Sequence, residues 1–223
     1  MATRFYLPSS NNVDSNYNNI PFSGAWAITG SADKVTCSIS PLSTLMTDKT
    51  TANSSDPQNI LNRQYISPRL KAQTIDGFVS GQLRGRQSNS AMNATSAVCI
   101  NVYSTGALLR GTLLPIVAAP LTAANEYTTS LVNRFTPSGG IALNSLTIEA
   151  NDVIVIEIGA AQEASSPNRN VTQRFGDSAA SDLPVNQSTT TDLNSWIEFS
   201  FNLDFMPTAS YSNMAIAWMQ DDF

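Results

Sequence analysis

The stretch at 195–205, SWIEFSFNLDF, alternates from Ile197 onward between apolar and polar side chains. Ile197, Phe199, Phe201, Leu203 and Phe205 fall on one side, and Trp196, Glu198, Ser200, Asn202 and Asp204 on the other. A period of two places side chains on opposite faces of an extended strand, so this stretch predicts a half-buried antiparallel β-strand. A second stretch, SLTIEANDVIVIEIG at 145–159, holds two aliphatic and β-branched runs about a polar turn at Glu149, Ala150, Asn151 and Asp152. That pattern predicts a β-hairpin. In its second run Ile154, Ile156 and Ile158 form one wholly aliphatic face, opposite Val153, Val155, Glu157 and Gly159. Two such strands with complementary apolar faces predict two packed sheets sharing one core.

The rest of the chain repeats the signal. AVCINVYS and LLRGTLLPIV, about STGA at 104–107, predict a further hairpin, and KVTCSISP predicts a strand that Pro41 places at an edge or ends. No segment carries a 3.6-residue period with caps and adequate length. About ten short strands with turns between them predict an all-β, antiparallel β-sandwich of jelly-roll type. With 223 residues, 42% of them hydrophobic, the chain can bury its core as one domain. We assign that domain to residues 24–223, including a polar loop at 160–194. Residues 1–23, where Phe5, Tyr6, Tyr17 and Phe22 stand among Asn, Ser and Pro, read as an extended arm able to lie against another surface.

Composition narrows the chemistry. There is no histidine, which removes the commonest general base and metal ligand and rules out Ser-His-Asp and Cys-His sites. Cys37 and Cys99, in alternating apolar patterns, read as buried free thiols, and neither a zinc set nor a phosphate loop is present. Glu157, Glu198 and Asp204 are formally available for a glycosidase pair, but as outward-facing acids on strands they are expected to be solvated. Asp152, Asp177, Asp182 and Asp192 lie in oxygen-rich loops without an ordered calcium-loop spacing. No cofactor, metal site or catalytic residue is predicted. The formal net charge of −5 disfavours nucleic acid as a partner, and the chain has neither a membrane-length apolar run nor a signal-like N-terminus, so neither membrane insertion nor export is expected.

Charged residues make up only 13% of the chain, which lowers the desolvation cost of burying its surface against neighbours. Their distribution is uneven. Within 60–110 lie Arg63, Arg69, Lys71, Arg84, Arg86 and Arg110 against the single acid Asp76, whereas acids dominate from Glu149 onward. If those segments occupied different faces, a basic face of one copy could meet an acidic face of the next. Charges interleaved within one subunit are the alternative. Contact candidates are therefore Phe5, Tyr6 and Leu7 in the arm, Arg84 and Arg86 opposite an acidic partner surface, and Trp218 and Phe223 near the C-terminus.

Taken together, MATRFYLP at the start, ILNRQYISPRLKAQTIDGFVSGQLRGR, the RGTLL at 110–114 and DVIVIEIG resemble a class of virion structural proteins of tailed bacteriophages. The resemblance implies a particle component located in the virion and assembled in the host cytoplasm. Its expected role is at the capsid surface, neck or tail, its expected partners are other copies of itself and other virion proteins, and it has no catalytic residues to carry over. Residues following Ser10 and the loop at 160–194 depart from that pattern. Two other readings stand beside it: a sandwich that binds a host surface glycan on Trp26, Trp196, Trp218 and the tyrosines, and a polysaccharide-degrading enzyme.

Overall fold

The computed structural model describes residues 2–10, 13, 17–30, 32–52, 57–136, 140–163, 169–179, 181–185 and 193–207. Within them the chain is all-β, and its strands lie in two main sheets. The first has the order β2 (Asp33–Thr36), β4 (Gln58–Ile66), β12 (Val153–Gln162), β7 (Ala94–Tyr103) and β8 (Leu109–Ala118). Its pairings are antiparallel except that of β2 with β4. The second is built on β6 (Phe78–Gln87), which pairs antiparallel with β14 (Trp196–Phe199) through residues 79–82 and with β13 (Val171–Phe175) through residues 84–87. Beyond these lie β1 (Thr3–Tyr6) on β14 and β3 (Thr47–Thr50) on β13. The short strands β9 (Val132–Phe135) and β10 (Ile141–Ala142) also pair with β6. A separate two-stranded ladder joins β5 (Gln73–Ile75) to β11 (Leu146–Ile148).

The predicted aliphatic face is the centre of the inter-sheet core. Ile154, Ile156 and Ile158 pack with Val98, Ile100 and Val102 of β7 and with Val79, Leu83, Ile197 and Phe199 of the opposing sheet. Phe5, Phe199 and Phe201 add edge-on ring contacts, a geometry that aromatic quadrupoles favour.

The other face of β12 is buried too. Val153 and Val155 pack with Tyr17, Ile20, Ile66 and Tyr103, while Leu61, Ala97, Cys99 and Ala161 pack with Trp26. Residues 17–32 thus supply side chains that cover the outer face of the five-stranded sheet. This explains why β12 reads as a nearly continuous apolar run, which strict one-sided burial would not produce. Gly159 marks the closest approach. A Cβ there would lie 2.0 Å from Ile60 O and 2.7 Å from Trp26 Cζ3, and the β12–β4 register shifts between Ile158 and Gly159.

Several expectations need correction. The runs about Glu149–Asp152 do not pair with each other: β11 pairs with β5, and β12 with β4 and β7. The turn itself is present, with Asn151 at φ 73° and the Asp152 carboxylate accepting from Glu149 N at 2.9 Å, but it carries the chain from one ladder to another. A ten-residue strand buried on both faces is satisfied only between two long neighbours, and three-residue β11 cannot be one of them. The strand predicted over 195–205 keeps its ladder only through Phe199, although Leu203, Phe201 and Phe205 still reach the core. The polar loop at 160–194 contains the end of β12 and the whole of β13. Its inward Gln173 hid the alternation, because that amide is buried by hydrogen bonds to Asn62, Tyr127 and Gly159 O rather than by apolar packing. The hairpin of β7 and β8 forms as expected, with Ala107 in the left-handed region of its turn.

The segment 1–23 is extended at its start but is not a free arm. Residues 3–6 pair along β14, Leu7 N donates to Ser195 O at 3.0 Å, and Gly176 N donates to Leu7 O at 3.2 Å.

Candidate functional site

Among the described residues, three groupings of polar and charged side chains stand out. The most enclosed centres on Glu157 in β12, which projects from the outer face of its sheet beneath the 17–32 segment. Its Oε1 accepts from Ser23 N at 2.8 Å and Gln64 Nε2 at 3.0 Å, and its Oε2 from Trp26 Nε1 at 2.8 Å. Burial pushes the Glu157 carboxyl above the usual carboxylate range, and the donors from Ser23, Gln64 and Trp26 pull the other way without cancelling it. Lys34 closes the rim, its Nζ donating to Asn18 O at 2.6 Å and Ile20 O at 2.5 Å. Beside it the Cys99 thiol is pushed up to about 11, first by burial and then by the Glu157 charge. Glu157 is therefore not the solvated acid expected from its strand position. Its outer-face neighbours Val153 and Val155 were the available signal, since an acid in line with buried valines is covered with them.

A second place is the outer face of the β6–β13–β3 ladder. Arg174 Nε donates to Asp48 Oδ1 at 2.6 Å, and Arg174 first, with Arg86 and Arg84 adding their charge, holds the Asp48 carboxyl below its ordinary value against the effect of burial. Arg84 is buried, with Nη1 donating to Asn133 Oδ1 at 3.5 Å, whereas Arg86 is exposed. Arg86 lines an open polar cavity of about 260 Å³ with Gln87, Ser88, Thr129, Asn170 and Thr172. The third place is the β1 edge, where Arg4 lies 3.9 Å over the Trp196 ring and pairs with Asp182 at 2.7 Å and Glu198 at 2.8 Å.

The predicted contact residues are not brought together. Phe5 and Leu7 are wholly buried, and Tyr6 nearly so, inside their own subunit, so these three have no free surface to offer a neighbour. Trp218 and Phe223 lie outside the described residues, as does Asp192. Trp26 and Trp196 are enclosed, with their indole N–H groups given to Glu157 and to Leu183 O, so neither presents a stacking platform. Glu157 and Glu198 lie on different sheets, Glu198 in a salt bridge with Arg4, and Asp204 is an exposed residue beyond β14, so the three acids do not flank one cleft. Asp177 accepts backbone N–H groups of Ala179 and Ser181, and among the described residues no cluster of three potential metal ligands forms. The fold interleaves two residues of the basic stretch with acids: Arg63 grips Asp33 at 2.8 Å, and Arg110 pairs with Asp152 and Glu149. Both cysteines are free and buried, as expected.

No family model matches the chain, and no curated protein matches it in sequence. Among solved structures it is similar to an α-amino acid ester hydrolase, with TM-score 0.48 and 8% identity over 89% of this chain and 36% of that one. A CocE/NonD family hydrolase from Staphylococcus aureus gives TM-score 0.44 and 8% identity over the same shares. The structure of infectious bursal disease virus, Gx strain, gives TM-score 0.26 and 11% identity over 70% of this chain and 40% of that one. The chain thus spans about a third of the length of the two hydrolases, and none of these likenesses assigns it an activity.

Proposed function

We propose that this protein is a structural component of a tailed-phage virion, acting through subunit–subunit contacts at the capsid surface, neck or tail. The observation that carries the contact role is the placement of its exposed apolar side chains. Among the described residues no further strand pairs beyond β8 in one main sheet or beyond β3 in the other, and an apolar pair stands beside each. Leu108 and Leu109 are 70% and 55% exposed where β8 begins, and Leu45 and Met46 are 81% and 44% exposed just before β3. Exposed leucines beside the last strand of a sheet favour covering by another chain. The low charge content supports the same reading, and the assignment to a phage particle rests on the sequence resemblance.

The contacts proposed here are the sheet edges, not the N-terminal residues, which the fold consumes. The experiment is mass spectrometry of separated heads and tails from purified particles, together with Leu108→Asp and Leu45→Asp variants. The reading expects a fixed stoichiometry in one fraction and loss of incorporation for at least one variant that still folds. Full incorporation of both folded variants, or absence of the protein from particles, would overturn it.

A further inference from the structure

Strands β12 and β13 belong to different sheets and face each other across the interior. Gln173 Nε2 donates to Gly159 O at 2.8 Å, and Val171 shares a buried cluster with Ala160. Moving outward from these contacts, β12 ends and β13 begins, and the residues two positions further along are Gln162 and Arg169. Both are buried, at 4% and 7% exposure. Among the described residues, Arg169 Nε, Arg169 Nη1 and Gln162 Nε2 have no hydrogen-bond acceptor. All three unmet atoms are N–H donors, and two of them belong to a cation that does not deprotonate in proteins.

Among the described residues no carboxylate fills this need. Glu126 Oε1 accepts from Gln87 Nε2 at 2.8 Å, and Glu163, next to Gln162, is exposed and leaves Arg169 Nε and Nη1 without an acceptor. Water can satisfy an N–H group but brings no charge, and a buried guanidinium without a counter-charge is costly. What the donors lack is an anionic oxygen acceptor, which guanidinium groups bind through short, charge-assisted bonds.

We propose that the buried place where β12 ends and β13 begins is an oxyanion-binding site, with Arg169 supplying the charge and Gln162 a neutral amide donor. A free phosphate-like ion and an Asp or Glu carboxylate on a neighbouring copy present the same chemistry. The site does not depend on the assembly role proposed above, because a free ion fills it in an isolated subunit.

The test uses the full chain at pH 7 in sodium phosphate and in sodium chloride at matched ionic strength. Wild type is expected to show a saturable rise in Tm of roughly 3 to 6 °C at about ten times the dissociation constant. Arg169→Met should fold as well as wild type in chloride and lose the response. Arg169→Lys, which keeps the charge but not the planar set of donors, should need at least about tenfold more phosphate. If a neighbour's carboxylate fills the site, sedimentation will show phosphate dissociating a wild-type oligomer and Arg169→Met already dissociated in chloride, which supports the same site with the other source. No effect of phosphate on either Tm or mass overturns the proposal, as does an Arg169→Met variant that responds like wild type. If that variant does not fold, Arg169→Lys decides, and an unweakened response overturns the site.

Discussion

Replacing Glu157 by leucine tests whether one buried carboxylate fastens the 17–32 segment to the five-stranded sheet. The substitution keeps most of the volume and removes the carboxylate oxygens that accept from Ser23 N, Trp26 Nε1 and Gln64 Nε2. Each buried donor left unmet costs about 1–3 kcal/mol. Ser23 is only half-buried and regains water, and Gln64 Nε2 retains Pro21 O at 3.0 Å. The remaining loss, concentrated on the Trp26 indole and one Gln64 hydrogen, is offset in part by removing a carboxylate whose burial was itself unfavourable. We expect a net destabilisation of about 2–4 kcal/mol in urea unfolding. Glu157→Gln keeps one carbonyl oxygen and turns a single amide donor toward existing donors, so it should cost less, about 1–2 kcal/mol. Limited proteolysis should find new cleavage within 17–32 in the leucine variant while far-UV circular dichroism stays β-rich. A leucine variant as stable as wild type, or one no worse than the glutamine variant, refutes the reasoning.

The same residue fixes a pH trend. Because burial raises the Glu157 carboxyl in the folded state, the unfolded chain releases this proton more readily than the folded one. The contribution is fully present below the unfolded value of about 4.3 and is lost as pH rises through the folded value. Relative to Glu157→Gln, wild type should therefore lose stability as pH climbs through that window. An unchanged wild-type-to-variant difference from pH 4 to pH 8 contradicts the assigned direction.

Three further outcomes are expected. Gly159→Ala should lower stability by about 2–3 kcal/mol, since its Cβ meets backbone at Ile60 O rather than a movable side chain; denaturant midpoints matching wild type would show that the strands can separate freely there. Phe199→Ala, at the centre of the inter-sheet core, should cost about 3–5 kcal/mol, and an unshifted melting temperature would place that ring outside the core. Thiol labelling at pH 8 should be negligible in the native protein, because both cysteines are buried and the Cys99 thiol is pushed up to about 11, and two thiols should react after denaturation; rapid native labelling would mean the 17–32 cover opens readily.

What could be read from the sequence depended on whether burial and hydrophobicity coincided. They do in the β7–β8 hairpin and in the face made by Ile154, Ile156 and Ile158, and those elements were legible. They part company in β13, where Gln173 is buried by hydrogen bonds, and at Glu157, where an acid lies under an indole. Period-two patterns also specify faces without specifying partners, so the turn at Glu149–Asp152 could be located but not the ladders it joins. In the N-terminal stretch RFYLP, Phe5, Tyr6 and Leu7 are all buried, a short run without the period-two alternation that marks a strand. The surrounding Asn and Ser suggested an unattached arm, although the described residues before them lie on one sheet and those after them on the other.

That route has an energetic consequence for assembly. The N-terminal residues pair with β14 in one sheet, and residues 17–32 then cover the opposite face of the other. Deleting residues 1–22 would uncover Val153, Val155, Ile66 and Tyr103, leave Trp26 without its flanking chain and strip the β14 edge at once. At about 25 cal/mol per Å² of apolar surface returned to water, removing Phe5, Leu7, Tyr17 and Ile20, all fully or almost fully buried, forfeits on the order of 6–10 kcal/mol. This equals much of the stability of an ordinary domain. Such a truncation therefore cannot separate folding from assembly, and its failure to join particles would report an unfolded subunit. Substitutions at Leu108 and Leu45 can separate them, because both side chains are largely exposed and changing them should alter the isolated subunit's stability by no more than about 0.5 kcal/mol.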